Sequence, residues 1–240
     1  MTPIQQLMLG AGSAKKVVGI DDVFKTNTFI GNDSSRSINT GVDMSDGGMV
    51  WLRTRNESSY GYFLFDSERG ASNSIATNST AIQQGSISGV TAFNTNGFNL
   101  GGSGYVNGNN LEIVGWSFKK QEKFFDVVSW IGDGSSNRQI SHSLSSIPGC
   151  IMVKNLSATE NWVVYHRSLG ATKYMRLDMN EVAATSATIW ADSAPTASNF
   201  TISNSARVNE NGDNYVAYLF GGGESTASEA VSVDFDGSGD

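Results

Sequence analysis

Two carboxylates come closest to a catalytic arrangement. Asp66 and Glu68 lie two residues apart at the end of Tyr62-Phe63-Leu64-Phe65, a run that reads as a strand. At i and i+2 they share one face, roughly 7 Å apart, a spacing that suits the acid and base of an inverting glycoside hydrolase. A solvated strand end is the plainer reading, because the matching positions later in the chain hold His166 and Ser168. The chain has only two histidines, His142 and His166, so three-His metal sites are excluded, and Cys150 with two histidines fits no zinc spacing. Neither histidine stands near a G-x-S-x-G nucleophile elbow. Both read as ordinary surface or half-buried side chains. Asp234, Asp236 and Asp240, set among Gly237 and Gly239, offer oxygens to a calcium ion but lack the loop and distal Glu of an EF-hand. No glycine loop of the P-loop or dinucleotide type is present. The expectation is a protein that is not an enzyme and that carries no metal and no cofactor. Tyr60, beside Ser58, Ser59 and Gly61, is the best candidate for an exposed ring that could stack on a sugar or a partner subunit. The other aromatics, such as Trp116, Trp162, Trp190 and Tyr218, read as core.

Composition limits the partners. The net charge is -7 at pH 7, which argues against nucleic acid, where affinity comes from Lys and Arg on phosphate. No apolar run approaches the ~18 residues of a membrane span. One cysteine excludes an intrachain disulfide; with Ile147 and Ile151-Met152-Val153 around it, Cys150 reads as a small buried side chain. The N-terminus has no basic stretch before Leu7-Met8-Leu9 and does not read as a secretory signal. The sequons at Asn56, Asn78, Asn155 and Asn199 matter only on a eukaryotic secretory route.

The elements that must position these residues are short. Gly, Ser and Asn make up about a third of the chain and bound brief β-branched and aromatic runs, the pattern of an antiparallel β protein with tight turns. The runs also repeat at a spacing of about 100 residues, a period that signals duplication. Phe29-Ile30-Gly31-Asn32-Asp33-Ser34-Ser35 echoes Trp130-Ile131-Gly132-Asp133-Gly134-Ser135-Ser136. Met49 to Arg53 echoes Cys150 to Lys154, and Tyr62 to Phe65 echoes Trp162 to Tyr165. Val106-Asn107, with Ile113 to Phe118, echoes Val208-Asn209, with Tyr215 to Phe220. The chain is therefore expected to be all-β, two tandem antiparallel β-sandwich repeats of about 100 residues each, over 21–121 and 122–223, joined at Gln121-Glu122-Lys123. Tyr174 to Met179 alternates and predicts a half-buried strand with Met175, Leu177 and Met179 on one face. Asn180 to Thr188, rich in Ala, is a weak helical stretch or a loop.

The ends carry their own signals. Residues 1–20 hold Ile4, Leu7, Met8 and Leu9 before Gly10 and Gly12; this reads either as a frayed end or as an arm that anchors on a partner through those four side chains. Gly221-Gly222-Gly223-Glu224 reads as a linker, and 224–240 as linker plus the start of a further β domain, since Val231, Val233 and Phe235 alternate as a strand does. The whole product is expected to be longer.

Several pieces resemble a repeat found in structural proteins of tailed bacteriophages, especially those of marine bacteria. They are Ile140-Ser141-His142-Ser143-Leu144, Ile147-Pro148-Gly149, the stretch from Trp162 to Tyr174, and Tyr215 to Phe220; in the first repeat, Gly41-Val42-Asp43-Met44, Gly48-Met49-Val50-Trp51 and Phe65 to Gly70. Gln5-Gln6-Leu7-Met8-Leu9-Gly10 is similar to the starts of fibre-like proteins, and Val233 to Asp240 to the opening strand of laminin-G or concanavalin-like lectin domains. The resemblance implies a non-enzymatic virion component, a tail fibre or tail-associated adhesin. It would be made in the host cytoplasm, released by lysis, docked on tail proteins through the N-terminal arm, and assembled as a homo-oligomer, a trimer in most fibres. Host surface glycan would be met by distal domains. A capsid decoration, or a receptor- or glycan-binding module, is the alternative.

Overall fold

The computed structural model describes residues 18–85 and 88–222. The chain is all-β, two antiparallel β-sandwiches in tandem. A short helix, α1 (Ile20–Val23), opens it, with the Asp22 carboxylate accepting from the Gly19 amide at 2.9 Å. Then follow β1 (Phe24–Ile30), β2 (Arg36–Asn39), β3 (Gly48–Thr54), β4 (Tyr62–Asp66), β5 (Ser74–Ala76), β6 (Val90–Asn94), β7 (Gly97–Leu100) and β8 (Glu112–Lys119). The large sheet of this half has the order β1-β8-β3-β4-β5, and the small one β2-β7-β6. The second half has β9 (Phe125–Ile131), β10 (Arg138–Ser141), β11 (Pro148–Asn155), β12 (Val163–His166), β13 (Lys173–Tyr174), β14 (Ala184–Thr185), helix α2 (Ala187–Trp190), β15 (Asn199–Ile202) and β16 (Asn214–Gly221). Its large sheet runs β12-β11-β16-β9, faced by the pair β10-β15 and flanked by the pair β13-β14.

Each half buries its own core. Val50, Leu52, Phe65, Phe98 and Ile113 lie between the two sheets of the first half; Ile151, Val153, Tyr165, Trp190 and Phe200 do so in the second. A third core lies between the halves. Met49, Leu64 and Ile75 from the first large sheet pack against Phe125, Met152, Trp162 and Tyr218 from the second. The large sheets thus meet face to face, and the order of layers is small, large, large, small. This explains why β3 and β11 are apolar almost throughout. A strand covered on both faces loses the in-out alternation.

The duplicated motifs occupy matching places. A Cβ on Gly31 would overlap the carbonyl oxygen of Gly108, and one on Gly132 that of Glu210, so only glycine lets the backbone come this close. Buried Asn107 donates to Ser34 O and Gly101 O, both at 2.8 Å. Its counterpart Asn209 donates to Asp133 Oδ1 at 2.9 Å and Ser135 O at 2.8 Å. Arg36 and Arg138 each donate to the last carbonyl of an edge strand, Ile30 O and Ile131 O.

Two sequence expectations fail locally, and the open reading of 180–188 resolves mostly as a loop. The run from Tyr174 to Met179 is not a strand; β13 ends at Tyr174, and Leu177 and Met179 are exposed. Arg176 turns back to Glu181 and to the Tyr174 hydroxyl, and those contacts outweigh the alternation. Within 180–188 the helix begins only at Ala187, where Ser186 Oγ accepts from the Thr188 amide at 3.2 Å. Gly221 is no linker residue. It ends β16, paired with Pro148, and Gly222 packs directly on Gly149. The anchor residues Ile4, Leu7, Met8 and Leu9, and Asp234, Asp236 and Asp240, lie outside the described residues.

Candidate functional site

The seam between the large sheets gathers the polar side chains that carry chemistry. Asp66 ends β4 on the seam face, and its side chain is fully buried. Its Oδ2 accepts from Arg69 Nε at 2.6 Å and from the hydroxyl of Tyr218, across the seam, at 2.6 Å; its Oδ1 accepts from the Arg69 amide at 2.8 Å. The Arg69 side chain is only 3% exposed and donates onward to Gln83 Oε1 at 3.1 Å. Burial drives the Tyr218 phenol well above its ordinary range, so it stays a donor. Asp66 is therefore no solvated strand end, and it makes no pair with Glu68. Glu68 is exposed, one carboxylate oxygen accepting from Ser129 Oγ at 3.2 Å. The two carboxylates point into different surroundings, and a hydrolysis that needs both around one bond is not built here.

Lys154 is a second buried cation at the seam. It sits in β11, fully buried, and its ammonium donates to Asn155 O at 2.8 Å, Glu160 O at 2.9 Å and, across the seam, Thr80 O at 3.2 Å. Burial lowers its pKa to about 8, against the pull of Asp178 and Glu160. Trp162 Nε1 crosses as well, donating to Ala76 O at 3.0 Å, as does the Gln83 amide, to Leu156 O at 3.3 Å.

Beside these bonds the seam opens as a polar cleft of about 570 Å³. Glu68, Gln83, Ser129, Ser157 and Asn214 line it above Trp130 and Tyr215. The cleft offers a carboxylate, two amides and two hydroxyls. That set hydrogen-bonds a neutral polar ligand, and its one hydroxyl–carboxylate contact, Ser129 Oγ to Glu68 at 3.2 Å, has no histidine in the lining beside it.

The other candidates lie apart. The Tyr60 ring is half-buried, its edge against Tyr105 with centroids 5.5 Å apart; Tyr105, which the sequence did not single out, is 50% exposed. His142 is half-buried, and burial lowers its pKa. His166 faces Cys150 across β11 and β12, and burial pushes the Cys150 thiol up to about 11, so it is not a thiolate nucleophile. Asn155 is fully buried, its amide donating to Ala206 O, Asp213 Oδ2 and the Tyr215 hydroxyl, which closes that sequon to a glycan. Among the described residues no three His, Cys, Asp or Glu side chains are grouped to hold a metal, and no helix is long and apolar enough to cross a membrane.

Reasoning from the sequence missed Arg69, Tyr218 and Lys154. The last left a signal, a lysine inside an otherwise apolar strand run.

A family model described as a domain of unknown function, DUF7483, matches residues 20–227. Neither a curated protein nor a solved structure matches the sequence.

Proposed function

The chain belongs to the DUF7483 family, and we propose that it is a bacteriophage virion structural protein, the N-terminal part of a tail fibre or tail-associated adhesin. In this reading residues 1–20 dock on the tail, copies of the chain associate as a trimer, and distal domains carry host binding. The observation that supports it most is the seam. Two sandwiches share one apolar core, and buried polar bonds from Tyr218, Trp162 and Lys154 cross it. Such a junction resists bending, since swinging one half would strip apolar surface and break the buried bonds that run from Tyr218 to Asp66 and from Lys154 to Thr80 O. A stiff spacer between an attachment point and a distal binding domain needs that property.

The polar cleft favours a second reading, a receptor- or glycan-binding module. Its hydroxyl, amide and carboxylate lining matches what a saccharide's hydroxyls recognise.

Immunogold labelling of intact virions with antibody to residues 21–222 separates the two. Gold at the tail, lost with the fibre when residues 1–17 are deleted, is expected. Gold on the head, or an undiminished fibre without those residues, overturns the anchor reading. Binding of the isolated chain to host glycan moves the function to the cleft.

A further inference from the structure

The seam has a second opening, and it is apolar. A groove of about 350 Å³ lies over Cys150, walled by Trp51, Phe118, Met152 and Phe220. His166 and Arg167 stand at its rim with Gly222. Trp51 Nε1 is shielded from solvent and has no acceptor among the described residues. A groove of this size takes two or three apolar side chains.

We propose that this groove seats the chain's own C-terminal segment, with Val231, Val233 and Phe235 laid along it. Three observations carry the inference, and none depends on the virion reading. The chain leaves the fold at the groove itself. Gly222 lines it, its amide donates to Ile147 O at 3.3 Å, and Arg167 Nη1 donates to its carbonyl. The eight residues 223–230 then span up to about 28 Å when extended, ample for a return. Second, Val231, Val233 and Phe235 alternate with Ser232, Asp234 and Asp236, so a strand there presents one apolar face and one polar face. Third, the charges match. Residues 223–240 hold Glu224, Glu229, Asp234, Asp236 and Asp240 and no Lys or Arg, against Arg167 at the rim. The N-terminal segment, the other stretch of chain able to reach an apolar groove, carries Lys15 and Lys16 and no acid, the wrong sign. Because the segment is tethered, its effective concentration is in the millimolar range, and weak contacts hold it.

Cys150 is the only thiol in the chain and lies in the groove, so its alkylation reports occupancy. The full-length protein and the full-length triple variant Val231→Ser, Val233→Ser, Phe235→Ser are treated with iodoacetamide near pH 9, where some thiolate forms. The variant is expected to react about tenfold faster, the ratio that a segment docked about 90% of the time imposes. A synthetic peptide of residues 229–240 should slow a chain ending at Gly222 again. Equal rates in wild type and variant, whether fast or nil, overturn the proposal. So does protection that grows with protein concentration, which assigns the groove to a second copy, or protection lost on removing residues 1–17 instead.

Discussion

Replacing Tyr218 by Phe deletes one oxygen from the seam and leaves its shape intact. The lost hydroxyl is a buried donor at 2.6 Å from Asp66 Oδ2. Asp66 keeps Arg69 through Nε and the backbone amide, so no charge is orphaned. The cost is one hydrogen bond to a charged acceptor, about 1.5–3 kcal/mol. Asp66→Ala is a different perturbation. It leaves the Arg69 guanidinium, 3% exposed, with no counter-charge, and costs about 3–5 kcal/mol. In a unit of this size each kcal/mol moves Tm by about 2–4 °C, so the midpoint falls by about 6 °C for Tyr218→Phe and about 12 °C for Asp66→Ala. Calorimetry of the full-length protein at neutral pH measures both. Wild type should melt in one transition, because the two sandwiches share a core. A Tyr218→Phe midpoint within about 1 °C of wild type, or Asp66→Ala no worse than Tyr218→Phe, refutes the idea that this contact fastens the halves.

The matched asparagines and the buried lysine give two more tests. Asn209 uses its oxygen as well as its amide, accepting from the Asp133 amide at 3.1 Å and Arg138 Nη1 at 3.0 Å, whereas Asn107 Oδ1 has no partner among the described residues. Asn209→Ala should therefore destabilise more than Asn107→Ala, by about 1–2 kcal/mol in urea unfolding, and equal losses count against the bond-by-bond reasoning. Lys154 gives up its proton at about 8 when folded but at the ordinary 10.5 when unfolded. Between those values the unfolded chain holds more protons, so this group makes stability rise with pH from about 8 to 10.5. Lys154→Met should abolish that rise. Urea midpoints from pH 7 to 10 check it, and parallel profiles for the two proteins contradict it. Above pH 10 the buried phenols of Tyr215 and Tyr218, both raised, act in the opposite direction.

What the sequence revealed was local. Gly31 and Gly132, or Asn107 and Asn209, mark turns whose geometry is decided within a few residues, so their echo was readable before any fold was known. The meeting of the large sheets was harder to see. Its one trace is the apolar run Ile151-Met152-Val153, continuing into Lys154, which says that both faces of β11 are covered but not by what. Asp66 was misjudged for the same reason. A carboxylate at the end of a strand looks solvated until Tyr218, far away in sequence, is placed on it. Leu177 and Met179 failed in the opposite direction, since alternation is a strand signal only where a neighbouring strand accepts it. The glycines at 221 and 222 show how composition misleads. They read as slack but serve to let two backbones touch.

Phe118 meets Phe220 with ring centroids 5.6 Å apart, and the two hold the same place in the two repeats. Each half thus hides the surface that its twin hides, as the subunits of a two-fold dimer do. Here the subunits are linked, so they cannot separate on dilution, and their stoichiometry is fixed at synthesis. Linkage also lifts the obligation to be alike. In a true dimer any contact off the axis occurs twice. In this chain Asp66 stands where the other repeat has His166, and Tyr218 where the other has Trp116. One end of the junction is thereby locked, while the matching end, where His166 stands, forms the apolar groove instead.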